Sequence, residues 1–205
     1  QIVSSRYKDK IDAEGVEFIG FALDGSARMK NLITGLLEFS RLNNITDVKK
    51  MNTNATLASV LESLEFYIKE SNAEIKSDDL PELIADQALI SKLFQHLISN
   101  ALKFRNENPP QIKISVKKLE SAYQFAVSDN GIGIQKEYFD KIFIIFQRLH
   151  AKNKFPGTGI GLALCKKIVE QHGGTLWVES EPNQGTTFYF TIPFKPVSIK
   201  KCPVE

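Results

Sequence analysis

The chain has 205 residues, 42% of them apolar, with 26 basic against 24 acidic side chains and a formal net charge of +2. That is length for one large domain, or one ordinary domain with an appendage, and enough apolar content for a packed core. Near-neutral charge argues against a protein that coats nucleic acid, no apolar run approaches the roughly 18 residues of a membrane span, and the polar opening stretch carries no signal-peptide pattern.

The two cysteines, Cys165 and Cys202, are isolated. They form neither a metal spacing nor a disulfide framework, which fits a reducing, cytoplasmic setting. No proline precedes Pro81, and eight of the twelve glycines lie at or beyond Gly131. Long uninterrupted helix is therefore expected early, and sharply bending backbone late.

In chain order, residues 1–10 resemble the end of a preceding helix. Asp12 is a good N-cap for a helix over 14–42. Phe18, Ala22, Met29, Leu32, Ile33, Leu36 and Leu37 recur on it at helical spacing. Such a helix is roughly 43 Å long and needs a bundle or coiled-coil partner for its stripe. Residues 43–47 form a polar break and a domain boundary. A helix follows from Thr53, with Leu57, Val60, Leu61, Leu64 and Ile68 on one face. Residues 73–76 and 82–85 are short strand candidates around a turn at Pro81. Asp86 caps a helix with Leu89, Ile90, Leu93, Phe94, Leu97, Ile98, Ala101 and Leu102 apolar. Alternation over Ile112, Ile114, Val116 and over Tyr123, Phe125, Val127 predicts an antiparallel pair. A helix over 159–172 stops at Gly173-Gly174, and strands over 175–179 and 186–192 follow. The polar tail is expected to be mobile. Helices and strands mix without βαβ alternation, so the fold class is α+β.

Four segments carry chemistry. In the first, Asn100 and Lys103 are polar residues three apart on an otherwise apolar helix. An amide oxygen beside an ammonium suits a Mg²⁺–phosphate group; an Asn bonded to nearby backbone and a surface Lys would read the same. In the second, Asp129 precedes Gly131 and Gly133 directly after a strand. An acceptor-only carboxylate suits an exocyclic amine such as that of adenine, although tight turns also carry Asp and Gly. In the third, Gly157, Gly159 and Gly161 lead into a helix start, where free N–H groups and the dipole attract phosphate. The fourth, 183–188, is a turn entering the last strand. Between the second and third lies a connection, 139–156, with Phe143 and Phe146 as apolar anchors before a basic centre of Arg148, His150, Lys152 and Lys154. Such connections often form lids.

These four segments resemble, in order, the N, G1, G2 and G3 boxes of sensor histidine kinases, and 143–146 resembles the F box. The 14–42 helix is similar to the second helix of a dimerisation and phosphotransfer hairpin. Its Asp24-Gly25, Arg28-Met29, Leu36-Leu37 and Ser40-Arg41 pairs resemble those of phytochrome-type kinases. The resemblance implies a Bergerat (GHKL) two-layer α/β sandwich with a mixed, largely antiparallel sheet, preceded by a hairpin helix. The implied division is 1–45 hairpin, 46–193 ATP-binding catalytic domain, 194–205 tail. It implies ATP and Mg²⁺ as cofactors, with Asn100 on the metal and Lys103 and Arg148 as the catalytic cations. Phe104 would pack near adenine and Asp129 would read it, with Gly131 and Gly133 alongside. Gly157, Thr158, Gly159, Gly161, Leu162 and Thr187 would complete the nucleotide site. The implied reaction is transfer of the γ-phosphoryl group to a hairpin histidine, for relay to a response regulator receiver domain. A homodimer through the hairpin and upstream sensory domains are implied as well, in a longer protein that is either soluble or membrane-anchored. A GHKL-type ATP-binding interaction module without kinase activity is the alternative.

Three departures stand out. His96 occupies a position where these kinases usually have Asn, and where gyrase- and MutL-like ATPases have a water-activating Glu. It reads as a base, as a group one layer out from Mg²⁺, or as a tolerated substitution; the last two are favoured because neutral His commonly bonds a neighbour. Asn183 replaces the usual opening Gly of the fourth segment and tolerates a left-handed backbone. No histidine lies on the hairpin: the three are His96, His150 and His172. A shortened chain is the expected reason, and this chain is then expected not to phosphorylate itself.

Overall fold

The computed structural model describes residues 12–42, 47–149 and 157–195, apart from the Arg28 side chain. Residues 1–11, 43–46, 150–156 and 196–205 lie outside the described residues, and with them the expectations for the preceding helix, the polar break, His150, Lys152, Lys154 and the tail.

Helix α1 spans Ala13–Arg41, and its N-cap Asp12 carboxylate accepts from the Gly15 N–H at 2.8 Å. Strand β1 (Val48–Met51) follows, then α2 (Thr53–Ser63), α3 (Glu65–Ser71), β2 (Glu74–Ser77) and β3 (Leu83–Asp86). Next come α4 (Gln87–Lys103), β4 (Gln111–Lys118) and β5 (Ala122–Asp129). Two 3₁₀ turns, Lys136–Tyr138 and Lys141–Phe143, precede α5 (Gly161–Gln171), β6 (Leu176–Glu181) and β7 (Gly185–Pro193).

Five strands form a sheet of order β2-β4-β5-β7-β6. Only β2–β4 is parallel; the other three pairings are antiparallel. Helices α4 and α5 pack together on one face. The α+β sandwich expected from the sequence is what forms, with a mixed, largely antiparallel sheet.

The core sits between that helix layer and the sheet. Phe125 and Phe190 are register partners and stack at 4.9 Å with an interplanar angle of 9°. Phe94 of α4 meets both edge-on, at 6.2 and 5.8 Å. This places the middle of α4 against the middle of the sheet and its C-terminal end beside the end of β5.

Both strand candidates around Pro81 form, and each takes its own partner. Glu74–Ser77 runs parallel to β4, while Leu83–Asp86 pairs with β1, which the sequence reading missed. A four-residue strand with one buried position shows no usable alternation. The helix from Thr53 breaks at Leu64 into two pieces. On α1, Leu32 is half-buried against the domain, whereas Phe18, Met29, Ile33 and Leu37 are each 51–61% exposed and Leu36 is 47% exposed.

His172 closes the far end of the helix layer. It is buried; its Nε2 accepts from the Asp86 N–H at 3.1 Å, and its Nδ1 lies 2.7 Å from the Ile168 carbonyl. One ring nitrogen accepts and the other donates, so the geometry fits neutral imidazole. Burial holds its pKa below the ordinary 6.5, against the Ile168 carbonyl and the Asp86 charge. Above pH 6.5 both folded and unfolded forms are neutral and the contribution is complete. As pH falls below that, the unfolded chain takes the proton first and stability is lost. The stability gap between wild type and His172→Gln is therefore expected to narrow from pH 7 to pH 5 in urea titrations. A gap independent of pH would contradict this.

Candidate functional site

The C-terminal half of α4, the β5–turn segment and the start of α5 enclose a cavity of about 310 Å³. His96, Ser99, Asn100, Lys103 and Phe104 line it from α4. Asp129, Ile132, Gly133 and Ile134 line it from the strand end, and Thr186 and Phe188 from β7. Gly157, Thr158, Gly159, Gly161 and Leu162 close the other side, with Ile142, Gln147, Arg148 and Leu149 across the mouth.

Asp129 ends β5 and points inward because it shares parity with the core residues Phe125 and Val127. Its Oδ1 accepts from the Gly131 N–H at 2.8 Å and the Thr186 N–H at 3.2 Å. Both donors use one oxygen, which leaves the other to the cavity. Burial raises the carboxyl pKa to about 6, and the two N–H donors only partly offset this. A half-buried acceptor whose described partners are backbone N–H groups is suited to a neutral N–H donor such as an amine on a flat base.

Glycines hold this end open. A Cβ on Gly133, at φ +69°, would stand 2.0 Å from the Glu181 carbonyl oxygen, so only glycine fits the close approach to β6. The turn is pinned by the Ile132 N–H to the Phe104 carbonyl at 3.0 Å and the Asn183 N–H to the Ile132 carbonyl at 2.8 Å. Asn183 adopts φ 62°, the left-handed backbone its side chain tolerates in place of glycine.

The opposite end is cationic. Lys103 is half-buried, with its ammonium 4.4 Å from the Phe104 ring centroid. Burial first, and the Arg148 charge second, hold its pKa below the ordinary lysine value. Two cations facing one space favour an anion there. Helix α5 opens on the same space, and its N-cap residue, Ile160, gives its first N–H groups no side-chain cap. Those N–H groups and the helix dipole add to the attraction.

His96 lies beside Gly161, where an added Cβ would be 3.3 Å from the His96 Nδ1. Burial keeps the imidazole pKa below its usual value, with Glu38 opposing and Lys92 reinforcing the shift. Among the described residues no cluster of three His, Cys, Asp or Glu side chains could hold a metal by itself.

Two expected site residues do not reach the cavity. Thr187 projects from the other face of the sheet, where its hydroxyl lies 2.8 Å from that of Ser128; Thr186 lines the cavity instead. The period-two register decides this, and one residue of shift reverses the face. Gly131 stands behind the wall, its would-be Cβ 2.4 Å from the Phe104 carbonyl oxygen. Of the two Phe anchors, Phe143 packs on the core beside Phe188, but Phe146 is 50% exposed at φ 67°. Ile142, 6% exposed, is the deeper anchor. Ser99, Ile132, Ile134, Gln147 and Leu149 line the cavity without having been singled out. The alternation of Ile132 and Ile134 with the glycines was their available signal.

Residues 85–196 match the family described as histidine kinase-, DNA gyrase B-, and HSP90-like ATPase. The chain belongs to this family. Within it the likeness is to sensor histidine kinases, at their ATP-binding domain. Cyanobacterial phytochrome A of Nostoc sp. is 45% identical over 199 residues, which is 94% of this chain and 25% of that protein. The chain thus spans about a quarter of that relative's length. The catalytic domain of histidine kinase ThkA is 29% identical and superposes with a TM-score of 0.64, covering 74% of this chain and all of that domain. Histidine kinase ThkA in complex with response regulator protein TrrA matches at a TM-score of 0.70 and 24% identity, over 94% of this chain and 55% of that one. This last match bears on the fold, α1 included. Among the described residues no helix is long and apolar enough to cross a membrane.

Proposed function

We propose that the chain is the ATP-binding catalytic part of a sensor histidine kinase, joined to one helix of its dimerisation hairpin. One observation carries the reading: a single cavity sets a half-buried carboxylate at one end against two cations and a helix start with an apolar N-cap residue at the other. That polarity matches adenine at Asp129 and phosphates at Lys103, Arg148 and the start of α5. Phe104 flanks the base side, and Gly157, Thr158, Gly159, Gly161 and Leu162 offer backbone to the phosphates.

Mg²⁺ fits this donor set only as a partner of phosphate. Asn100 offers one neutral hard oxygen, too few for Mg²⁺ alone, so the ion would arrive with the nucleotide. It would neutralise phosphate charge. The chain's own part is to fix the base, hold the phosphates between Lys103 and Arg148, and aim the terminal phosphoryl group outward. His96 presents no carboxylate for activating water, which favours transfer to a protein histidine over hydrolysis.

The acceptor would be a histidine on a hairpin helix, and no histidine of this chain lies on α1. A homodimer through the hairpin is supported by the exposed stripe Phe18, Met29, Ile33 and Leu37. A response regulator receiver domain as the next recipient, upstream sensory domains and a cytoplasmic site belong to the same reading.

Calorimetry with ATP tests it. Asn100→Ala is expected to weaken binding about tenfold with Mg²⁺ present, and to leave the much weaker metal-free binding unchanged. Radiolabel from γ-labelled ATP is expected on a histidine-bearing hairpin added in trans, and not as acid-labile phosphate on this chain. Binding without transfer would favour the interaction module, and absence of binding would overturn the proposal.

A further inference from the structure

The second half of α1 rests on the domain along one narrow face. Leu32, Gly35, Phe39 and Leu42 are its half-buried or buried positions, while Ile33, Leu36 and Leu37 point away and are exposed. The Phe39 carbonyl accepts from the Lys167 ammonium at 2.8 Å, and that ammonium lies 4.3 Å from the Phe39 ring centroid. Glu38 is 3.7 Å from Lys92 of α4. Two lysines of the helix layer thus hold the last turns of α1 in place.

The closest approach lies between them. A Cβ on Gly35 would stand 2.6 Å from Ile160 Cδ1, whereas Ile160 Cβ and Cγ2 would be at 3.6 Å. Gly35 is therefore the point where the α1 backbone meets a side chain end-on, and a methyl group there would make the buried Ile160 Cδ1 shift. Ile160 is 3% exposed and sits between Gly159 and Gly161, both of which line the cavity. A Cβ on Gly159, at φ +74°, would stand 2.9 Å from the Phe146 and Gln147 backbone, and the Gly159 carbonyl accepts from the Phe146 N–H at 3.0 Å. A Cβ on Gly161 would stand 3.3 Å from His96 Nδ1. The glycine loop is thus held on both sides by its own domain, and through Ile160 by α1.

We infer that Ile160 is a positioning residue: seated against Gly35, it holds the glycine loop in the shape that receives phosphate, so α1 docking and nucleotide binding support one another. The inference rests on the nucleotide reading above and adds to it the contact that links the two parts of the chain. The link is reciprocal by necessity: a seat that favours nucleotide is itself favoured by nucleotide.

The test is a size-swap cycle read by ADP calorimetry. Gly35→Ala drives a methyl group into Ile160 Cδ1 and is expected to weaken ADP binding about tenfold. Ile160→Val removes that one carbon, so the pair Gly35→Ala/Ile160→Val is expected to bind within about twofold of Ile160→Val alone. Gly25→Ala is the control: it raises helix propensity equally, and its Cβ would meet nothing within 4 Å. It is expected to leave affinity unchanged. The inference is overturned if Gly35→Ala binds as the wild type or tighter, if Gly25→Ala acts as strongly, or if the pair stays as weak as Gly35→Ala. If the wild type binds no ADP, the nucleotide reading fails separately. Hydrogen exchange of the 157–161 amides then decides the seat: faster in Gly35→Ala and restored in the pair supports it, and no change overturns it.

Discussion

Asp129→Asn is expected to lower ADP affinity about a hundredfold and to abolish its dependence on pH between 5 and 7. The carboxylate is the half-buried acceptor at the base end of the cavity, and Oδ1 is already taken by the Gly131 and Thr186 N–H groups. An amide keeps one oxygen for those donors and turns an N–H toward the ligand's own N–H. Donor then meets donor in a buried place, and desolvation is left unrepaid. The pH dependence follows from the raised pKa of about 6. Above it the group is a carboxylate and accepts; below it the free domain holds a proton that binding must expel. Wild-type affinity is therefore expected to fall as pH drops through 6, with proton release on binding in that window, measured by calorimetry in buffers of different ionisation enthalpy. The same group has the opposite effect on the empty domain. Its folded pKa lies above the unfolded one, so its contribution to stability is present at low pH and lost as pH rises through 6. Affinity that is flat across this range in the wild type would remove Asp129 from the base contact.

Phe94→Ala is expected to cost about 3–5 kcal/mol of folding stability. The ring has no exposed surface and fills the angle between Phe125 and Phe190, so α4 and the sheet cannot close on the void without parting the stacked pair. The urea midpoint is expected to fall with an unchanged slope. Saturating ADP is expected to recover part of the loss, because Asn100 and Lys103 ride on the same helix and ligand binds only the folded form. A midpoint within experimental error of the wild type would show that the aromatic cluster does not anchor α4.

Apart from the break at Leu64, the helices were legible because each shows its period directly. The α4 pattern from Leu89 to Leu102 is the buried face that forms, and Asp86 and Asp12 cap where short polar acceptors should. The β4–β5 pair was legible because alternation holds over both strands. The site was legible as a set of ordered segments: Asn100 with Lys103, Asp129 with Gly133, and the glycine run before α5 all reach one cavity. What escaped had a common cause. Thr186 rather than Thr187 faces the cavity because β7 pairs Asp129 with Thr186, and that register depends on the neighbouring strand. β1 exists because β3 passes beside it, and Phe146 is exposed because Gly159 captures its backbone.

Local chemistry was therefore decided along the chain. Residue type and spacing determined which segments are helix, which backbone must bend left-handed, and which side chains bring an acceptor or a cation. Only the folded chain decided facing and contact: the antiparallel register that turns Asp129 inward, the two donors that share its Oδ1, and Gly35 of α1 set against Ile160. Each of these depends on residues far apart in sequence meeting at ångström range. Composition and period carry no record of such distances, because they are set when the layers close on one another.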